Sequence, residues 1–239
     1  LNSNYKIIRK IKFSSKEISK KILSSKFNFL TKDFKKIRKI LFCSVVPKSF
    51  NLLKRYLQEK TKQKCYEIKD LNLKSLININ VNYKQVGSDR LTNAISLLNK
   101  KDNFIILDFG TATTFDVILE NGQYEGGIIA PGVNLSLETL YNSASQLPKI
   151  SLKYIDNLPI IGKNTVNSMK SGIYWGYLSL IEGLLKKIKD QYNHEFKVVA
   201  TGGLSNLFYD SNLFDVVNEN LTIIGLMYVF EENKQKSFK

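Results

Sequence analysis

The chain has 239 residues, enough for one large core or two smaller ones, with 43% apolar and 24% charged residues as in ordinary globular proteins. No apolar run approaches the roughly 18 residues that span a bilayer, no apolar stretch follows the basic N-terminus as in a signal peptide, and two cysteines without metal-ligand spacing fit a reduced, cytoplasmic compartment rather than a disulfide framework. The net charge of +15 comes from lysines scattered through Lys6 to Lys64 rather than clustered beside aromatic rings, so it reads as a solvated surface that favours small anions such as nucleotides over a nucleic-acid face.

The chain opens on Leu1, not Met, with a polar, strand-like segment from Tyr5 to Phe13. Ser14 or Ser15 is placed to cap a helix running to about Lys26, and Thr31 to cap a shorter one running to Arg38. Lys39 to Val46 (KILFCSVV) is a β-rich apolar run stopped by Pro47, which predicts a buried strand. Ser49 to Thr61 carries Phe50, Leu53, Tyr56 and Leu57 on one helical face, and a short strand from Lys64 to Ile68 follows. Strand, helix, strand in this order implies a largely parallel or mixed sheet.

Asn78 to Gln85 is irregular and polar, which predicts a loop; a helix from about Ser88 to Asn99 follows. Asp89 falls where a helix N-terminus stabilises negative charge, although on this segment alone Ser88 or Asp89 as a plain N-cap is the favoured reading. Phe104 to Thr114 (FIILDFGTATT) organises the second half. Apolar residues through Leu107 deliver the Asp108 carboxylate to the end of a strand, Gly110 turns the backbone, and Thr111, Thr113 and Thr114 supply hydroxyls that can close around an anion or its metal ion. Asn121-Gly122 is a two-residue hairpin signal, sending the chain back through Tyr124 to Ala130.

Gly126 to Gly132 (GGIIAPG) closes a strand against something that admits no side chains, and a helix from about Leu135 to Ser145 follows. A long helix, Val166 to Tyr192, carries Ser171, Gly172 and Gly176, small residues that let another backbone come close. The single histidine, His194, lies in a polar turn, which excludes a Ser/His/Asp triad and a multi-histidine metal site. Lys197 to Thr201 is a strand whose end carries Gly202-Gly203 before a further helix, an arrangement that accepts a phosphate or nucleoside or serves as a tight turn. Leu221 to Phe230 is a final apolar helix.

The chain resembles the type III pantothenate kinases, members of the actin-like, sugar-kinase-like ATPase superfamily. The resemblance rests on G-S-D-R at Gly87 to Arg90, D-F-G-T-A-T-T at Asp108 to Thr114, GGIIAPG at Gly126 to Gly132, Leu147-Pro148, G-K-N-T at Gly162 to Thr165 and A-T-G-G at Ala200 to Gly203, six weak motifs in the family's order. It implies an α/β fold of two ribonuclease-H-like halves with mixed central sheets flanked by helices, residues 1–101 and 102–239. It implies phosphorylation of the primary hydroxyl of pantothenate by ATP, the first step towards coenzyme A, in a cytoplasmic homodimer. By that analogy Asp89 is the general base, Gly87, Ser88, Asp89 and Arg90 contact pantothenate, and Thr165 contacts it across a dimer interface. Asp108 would hold a monovalent cation, potassium or ammonium, Thr111 would contact ATP, and Gly202 and Gly203 would lie near the nucleoside, with magnesium as the expected divalent ion.

Two departures stand out. The family begins with a strand ending in D-x-G-N-T, the first phosphate loop, and no D-x-G precedes Asp108. The simplest reading is a sequence without its true N-terminus. Losing even ~2 charge-assisted phosphate hydrogen bonds, each worth ~1.5–3 kcal/mol, weakens ATP binding by orders of magnitude. The family's pantothenate-side tyrosine corresponds here to Tyr83, which sits closer to Gly87 than is usual. The incomplete loop and the basic charge also define a rival, a non-catalytic relative with a regulatory or nucleic-acid-binding role.

Overall fold

A computed structural model describes residues 6–11, 18–28, 34–44, 47–98, 101–152 and 157–233. The chain falls into two compact units that interleave in sequence. The first comprises residues 1–76, 85–96 and 222–239, and the second 77–84 and 97–221.

In the first unit, β1 (Ile40–Phe42) and β2 (Cys65–Glu67) pair in parallel, joined by α2 (Pro47–Thr61), as the alternation of strand and helix predicts. Leu23 of α1 (Lys20–Lys26), Phe34, Phe42, Tyr56, Leu57 and Cys65 form its core. Two helices complete it, α3 (Ser88–Ile95) and α6 (Leu221–Asn233). They pack backbone to backbone: a Cβ on Gly225 would strike the Thr92 carbonyl oxygen, and Thr222 Oγ1 donates to Asn93 Oδ1 at 2.7 Å.

The second unit is built on a six-stranded sheet of order β3-β6-β5-β4-β7-β8, with β3 (Asn78–Ile79) and β8 (Val216–Val217) at its edges. β4 (Phe104–Phe109), β5 (Ala112–Ile118) and β6 (Gln123–Pro131) form an antiparallel meander, and β7 (Lys197–Thr201) runs parallel to β4. The predicted hairpin forms at Asn121-Gly122, where Gly122 adopts φ 76°, and a bulge at Gly126 (φ 110°) shifts the β5–β6 register. Ile105, Leu107, Phe109, Phe115, Val117, Val198 and Ala200 share one sheet face. They form a core with Val133 and Leu137 of α4 (Val133–Ser143) and with Tyr177, Ile181, Leu185 and Ile188 of α5 (Thr165–Tyr192). The opposite face carries Ile106, Asp108, Thr114, Asp116 and Tyr124, because strand side chains alternate.

Several expectations need correction. The described part of the first predicted strand, 6–11, contains no strand and belongs to neither sheet. Ser14, Ser15 and Thr31 lie outside the described residues; α1 is capped instead by Ser19, whose Oγ accepts from the Ile22 N–H at 3.3 Å, and Phe34–Lys36 is a short 3-10 turn. β1 ends at Phe42. Asn78 to Gln85 is not wholly a loop: Asn78–Ile79 forms β3, parallel to the start of β6, and Tyr83–Gln85 is a 3-10 turn. Such a two-residue strand exists only through its distant partner, and local periodicity cannot reveal it. α3 stops at Ile95, where the Thr92 and Ser96 hydroxyls bond back to the Ser88 and Asn93 carbonyls and draw the backbone out of the helix. α4 starts at Val133, directly after Gly132, and ends at Ser143. The segment after Gly203 is a 3-10 helix, Ser205–Ser211, and β8 (Val216–Val217) follows it unpredicted.

Candidate active site

In the second unit, β4 and β7 end side by side, with Asp108 and Thr201 in register. Gly202 turns away at φ 92°, and a Cβ there would stand 2.6 Å from both Asp108 Oδ1 and the Phe109 nitrogen. Only glycine fits, because the conformation is left-handed and the space is already taken. On the other side Gly132 donates its N–H to the Thr111 carbonyl at 3.1 Å, and its missing Cβ would collide with that same oxygen. Asp108 to Thr111 is thus walled by glycine backbone on two sides, with Asp108 half-buried and Gly110 and Thr111 exposed. A carboxylate at the base of an exposed, glycine-walled turn can receive a cation and the phosphate it neutralises. Gly203 is exposed with open space where a Cβ would stand, which leaves room for a larger group.

The wall is itself held in place. Tyr177 of α5 donates its hydroxyl proton to the Pro131 carbonyl at 2.8 Å and lies 2.6 Å from Ser136 Oγ of α4. That junction fixes the end of β6 and the first turn of α4, hence Gly132 between them.

Thr165 is the first residue of α5 and is exposed. Asn164 caps the helix, its side chain accepting from the Asn167 N–H at 2.9 Å. Gly162 lies so close to the Asn167–Ser168 backbone that no Cβ could be added. Glycine and asparagine in G-K-N-T therefore have a structural task, and Thr165 stands free to meet something else.

In the first unit, Gly87 is the N-cap of α3, with no side-chain cap, so neither Ser88 nor Asp89 caps the helix. A Cβ on Gly87 would come within 2.5 Å of Asp89 Oδ1, so the glycine gives the carboxylate room to curl over the first turn and accept the Arg90 N–H at 2.9 Å. Asp89 and Arg90 are half-buried and Ser88 is buried. Ser88 Oγ donates to the Ser44 carbonyl at 3.2 Å, and Thr92 Oγ1 contacts Cys43 Sγ at 3.5 Å, tying α3 to the segment after β1. Burial pushes the Cys43 thiol up to about 11, against hydrogen bonds from Thr92 and Ser88 that lower it. Burial also raises the Glu67 carboxyl above its ordinary range. Both Glu67 oxygens are buried without a well-formed hydrogen bond, and the nearby Ser44 N–H and Ser88 hydroxyl only partly offset the shift.

The expected site residues thus fall into two groups. Gly87, Ser88, Asp89 and Arg90 gather at the start of α3, whereas Asp108, Thr111, Gly202 and Gly203 gather at the ends of β4 and β7. Tyr83 opens the 3-10 turn Tyr83–Gln85 of the second unit and is half-buried. Sequence reasoning passed over Glu67 and Asp116. Asp116 is the more legible of the two, as an acid set between the apolar Phe115 and Val117. Among the described residues no three His, Cys, Asp or Glu gather as a metal cluster, and no helix is long and apolar enough to cross a membrane.

A two-stranded parallel sheet and a six-stranded mixed sheet flanked by helices, with a glycine-walled acidic turn at the strand ends, define an α/β protein. The family model described as type III pantothenate kinase matches residues 3–187, and the chain belongs to that family. It is 50% identical over 228 residues to the type III pantothenate kinase of Pelagibacter ubique, covering 95% of this chain and 91% of that one. It is 40% identical to the Zymomonas mobilis enzyme of the same name, covering 84% and 74% respectively. Among solved structures, one from Campylobacter jejuni, described as a conserved Baf family transcriptional activator, superposes with a TM-score of 0.54 at 20% identity, covering 85% of this chain and 88% of that one. That likeness concerns the fold alone.

Proposed function

We propose that this chain transfers the γ-phosphoryl group of ATP to the primary hydroxyl of pantothenate, giving 4'-phosphopantothenate, the first step of coenzyme A biosynthesis. The observation that carries the reading is the Asp108–Thr111 turn, a half-buried carboxylate followed by the exposed Gly110 and Thr111 and packed against the backbone of Gly132 and Gly202. Family membership supports it across residues 3–187.

Phosphoryl transfer depends on positioning and charge neutralisation more than on covalent chemistry. Asp89 accepts the proton of the attacking hydroxyl, and Gly87, Ser88 and Arg90 hold pantothenate beside it. Tyr83 and the partner subunit's Thr165 are further contacts to pantothenate in this reading. Thr111 binds ATP, and Gly202 and Gly203 border its nucleoside. A monovalent cation, potassium or ammonium, belongs at Asp108, and magnesium accompanies the nucleotide; their charge offsets that of the phosphates. The residues fit such a group, since Asp108 supplies an anion at the base of a turn whose Gly110 and Thr111 are exposed.

The homodimer is supported by α5 and the segment before it. Ile160 and Ile161 are 66% and 75% exposed, and Gly172 and Gly176 face open space. Cytoplasmic location, and 1–101 and 102–239 as the two ribonuclease-H-like halves, belong to the same proposal. Asp89→Asn tests the chemistry. Turnover falls ~10²–10⁴-fold, the usual worth of a general base, while pantothenate still binds in calorimetry. Near-normal turnover in that variant removes Asp89 from the mechanism.

A further inference from the structure

A cation beside Asp108 cannot be enclosed by carboxylates and histidines alone, because no group of three such ligands exists among the described residues. Neutral oxygens must complete its shell, as hard cations require. The β4–β5 ladder sets Asp108 directly opposite Thr114, with both side chains on the same face of the sheet. Two residues further along that face lies Asp116, fully buried. Its Oδ1 accepts from the Tyr124 hydroxyl at 2.5 Å and its Oδ2 from Thr114 Oγ1 at 3.3 Å.

The direction of the second bond decides what Thr114 can do. A threonine hydroxyl has one proton and two lone pairs. With the proton committed to Asp116, the lone pairs remain for a cation. Without Asp116 the same proton would be free to turn to the Asp108 carboxylate across the ladder and occupy an oxygen the cation needs. We propose that Thr114 is a neutral oxygen ligand of the cation held by Asp108, and that Asp116, anchored by Tyr124, is the positioning residue that orients its hydroxyl. This rests on the reading of Asp108 as the cation site. Outer partners of this kind typically change metal affinity 10–100-fold when removed. A simple stapling role, with Asp116 tying β5 to β6 through Tyr124, would lower stability without moving the cation's half-saturation.

Potassium itself is the probe. Melting temperature is followed as potassium chloride replaces choline chloride at constant ionic strength, since a ligand that binds the folded state raises it. The wild-type chain shows a potassium-specific rise, and Asp108→Ala abolishes it. Asp116→Asn and Thr114→Val raise the half-saturating potassium concentration about 10–100-fold, whereas Thr114→Ser, which keeps the hydroxyl, stays close to wild type. If Asp116→Asn does not fold, the Thr114 pair decides alone. Unchanged half-saturation in Thr114→Val, with Asp108→Ala silent, overturns this proposal and leaves the Asp108 reading standing. No potassium-specific rise in the wild type, or one that survives Asp108→Ala, overturns both.

Discussion

At the scale of single residues, glycines and buried acids shape the site. Glu67, beside Ser44 and Ser88, carries a carboxyl raised above its ordinary value of 4.5 chiefly by burial. A carboxyl whose folded pKa lies above its unfolded one favours folding in its protonated form, so its contribution is full below about 4.5 and is lost as pH rises through the folded value. Above that window the ionised group is a liability. Glu67→Gln should therefore melt higher than wild type at pH 8, with the gap closing as pH falls below 4.5. Chemical denaturation at both pH values checks it, and a gap that widens towards acid would reverse the assignment.

Among the elements, the βα turn at Gly202-Gly203 separates two roles that the sequence could not. Gly202 has φ 92° and its Cβ position lies against Asp108, whereas Gly203 faces open space. Gly202→Ala should cost about 1–3 kcal/mol and disturb Asp108. Gly203→Ala should leave stability unchanged and raise the KM for ATP by crowding the nucleoside. Thermal melts with initial rates separate the two, and equal stability loss in both would refute the distinction. Long elements were legible: β4, the Asn121-Gly122 hairpin and α5 follow from strict apolar patterning, a turn dipeptide and a capped 28-residue helix. What escaped was set by distant partners. β3 and β8 are two residues long and exist only by pairing, and the short α3 ends where side chains bond back to the backbone. At the site, the Asp108 turn was visible as D-x-G-T, but Asp116 belongs to it only through the ladder that puts it on the same sheet face as Asp108.

For the whole molecule, the proposal requires two chains, since Thr165 is to serve a neighbour's pocket. Sedimentation should give a dimer, and Ile161→Glu, at a side chain 75% exposed, should yield folded monomer with pantothenate turnover lost. A fully active monomer would remove Thr165 from the site. The most direct test of the catalytic reading is ADP release from ATP in magnesium and potassium, with and without pantothenate. Pantothenate-dependent ADP release, with phosphopantothenate identified by mass, is the expected result. ADP release that ignores pantothenate, or none at all, would contradict the assignment of this site to pantothenate phosphorylation.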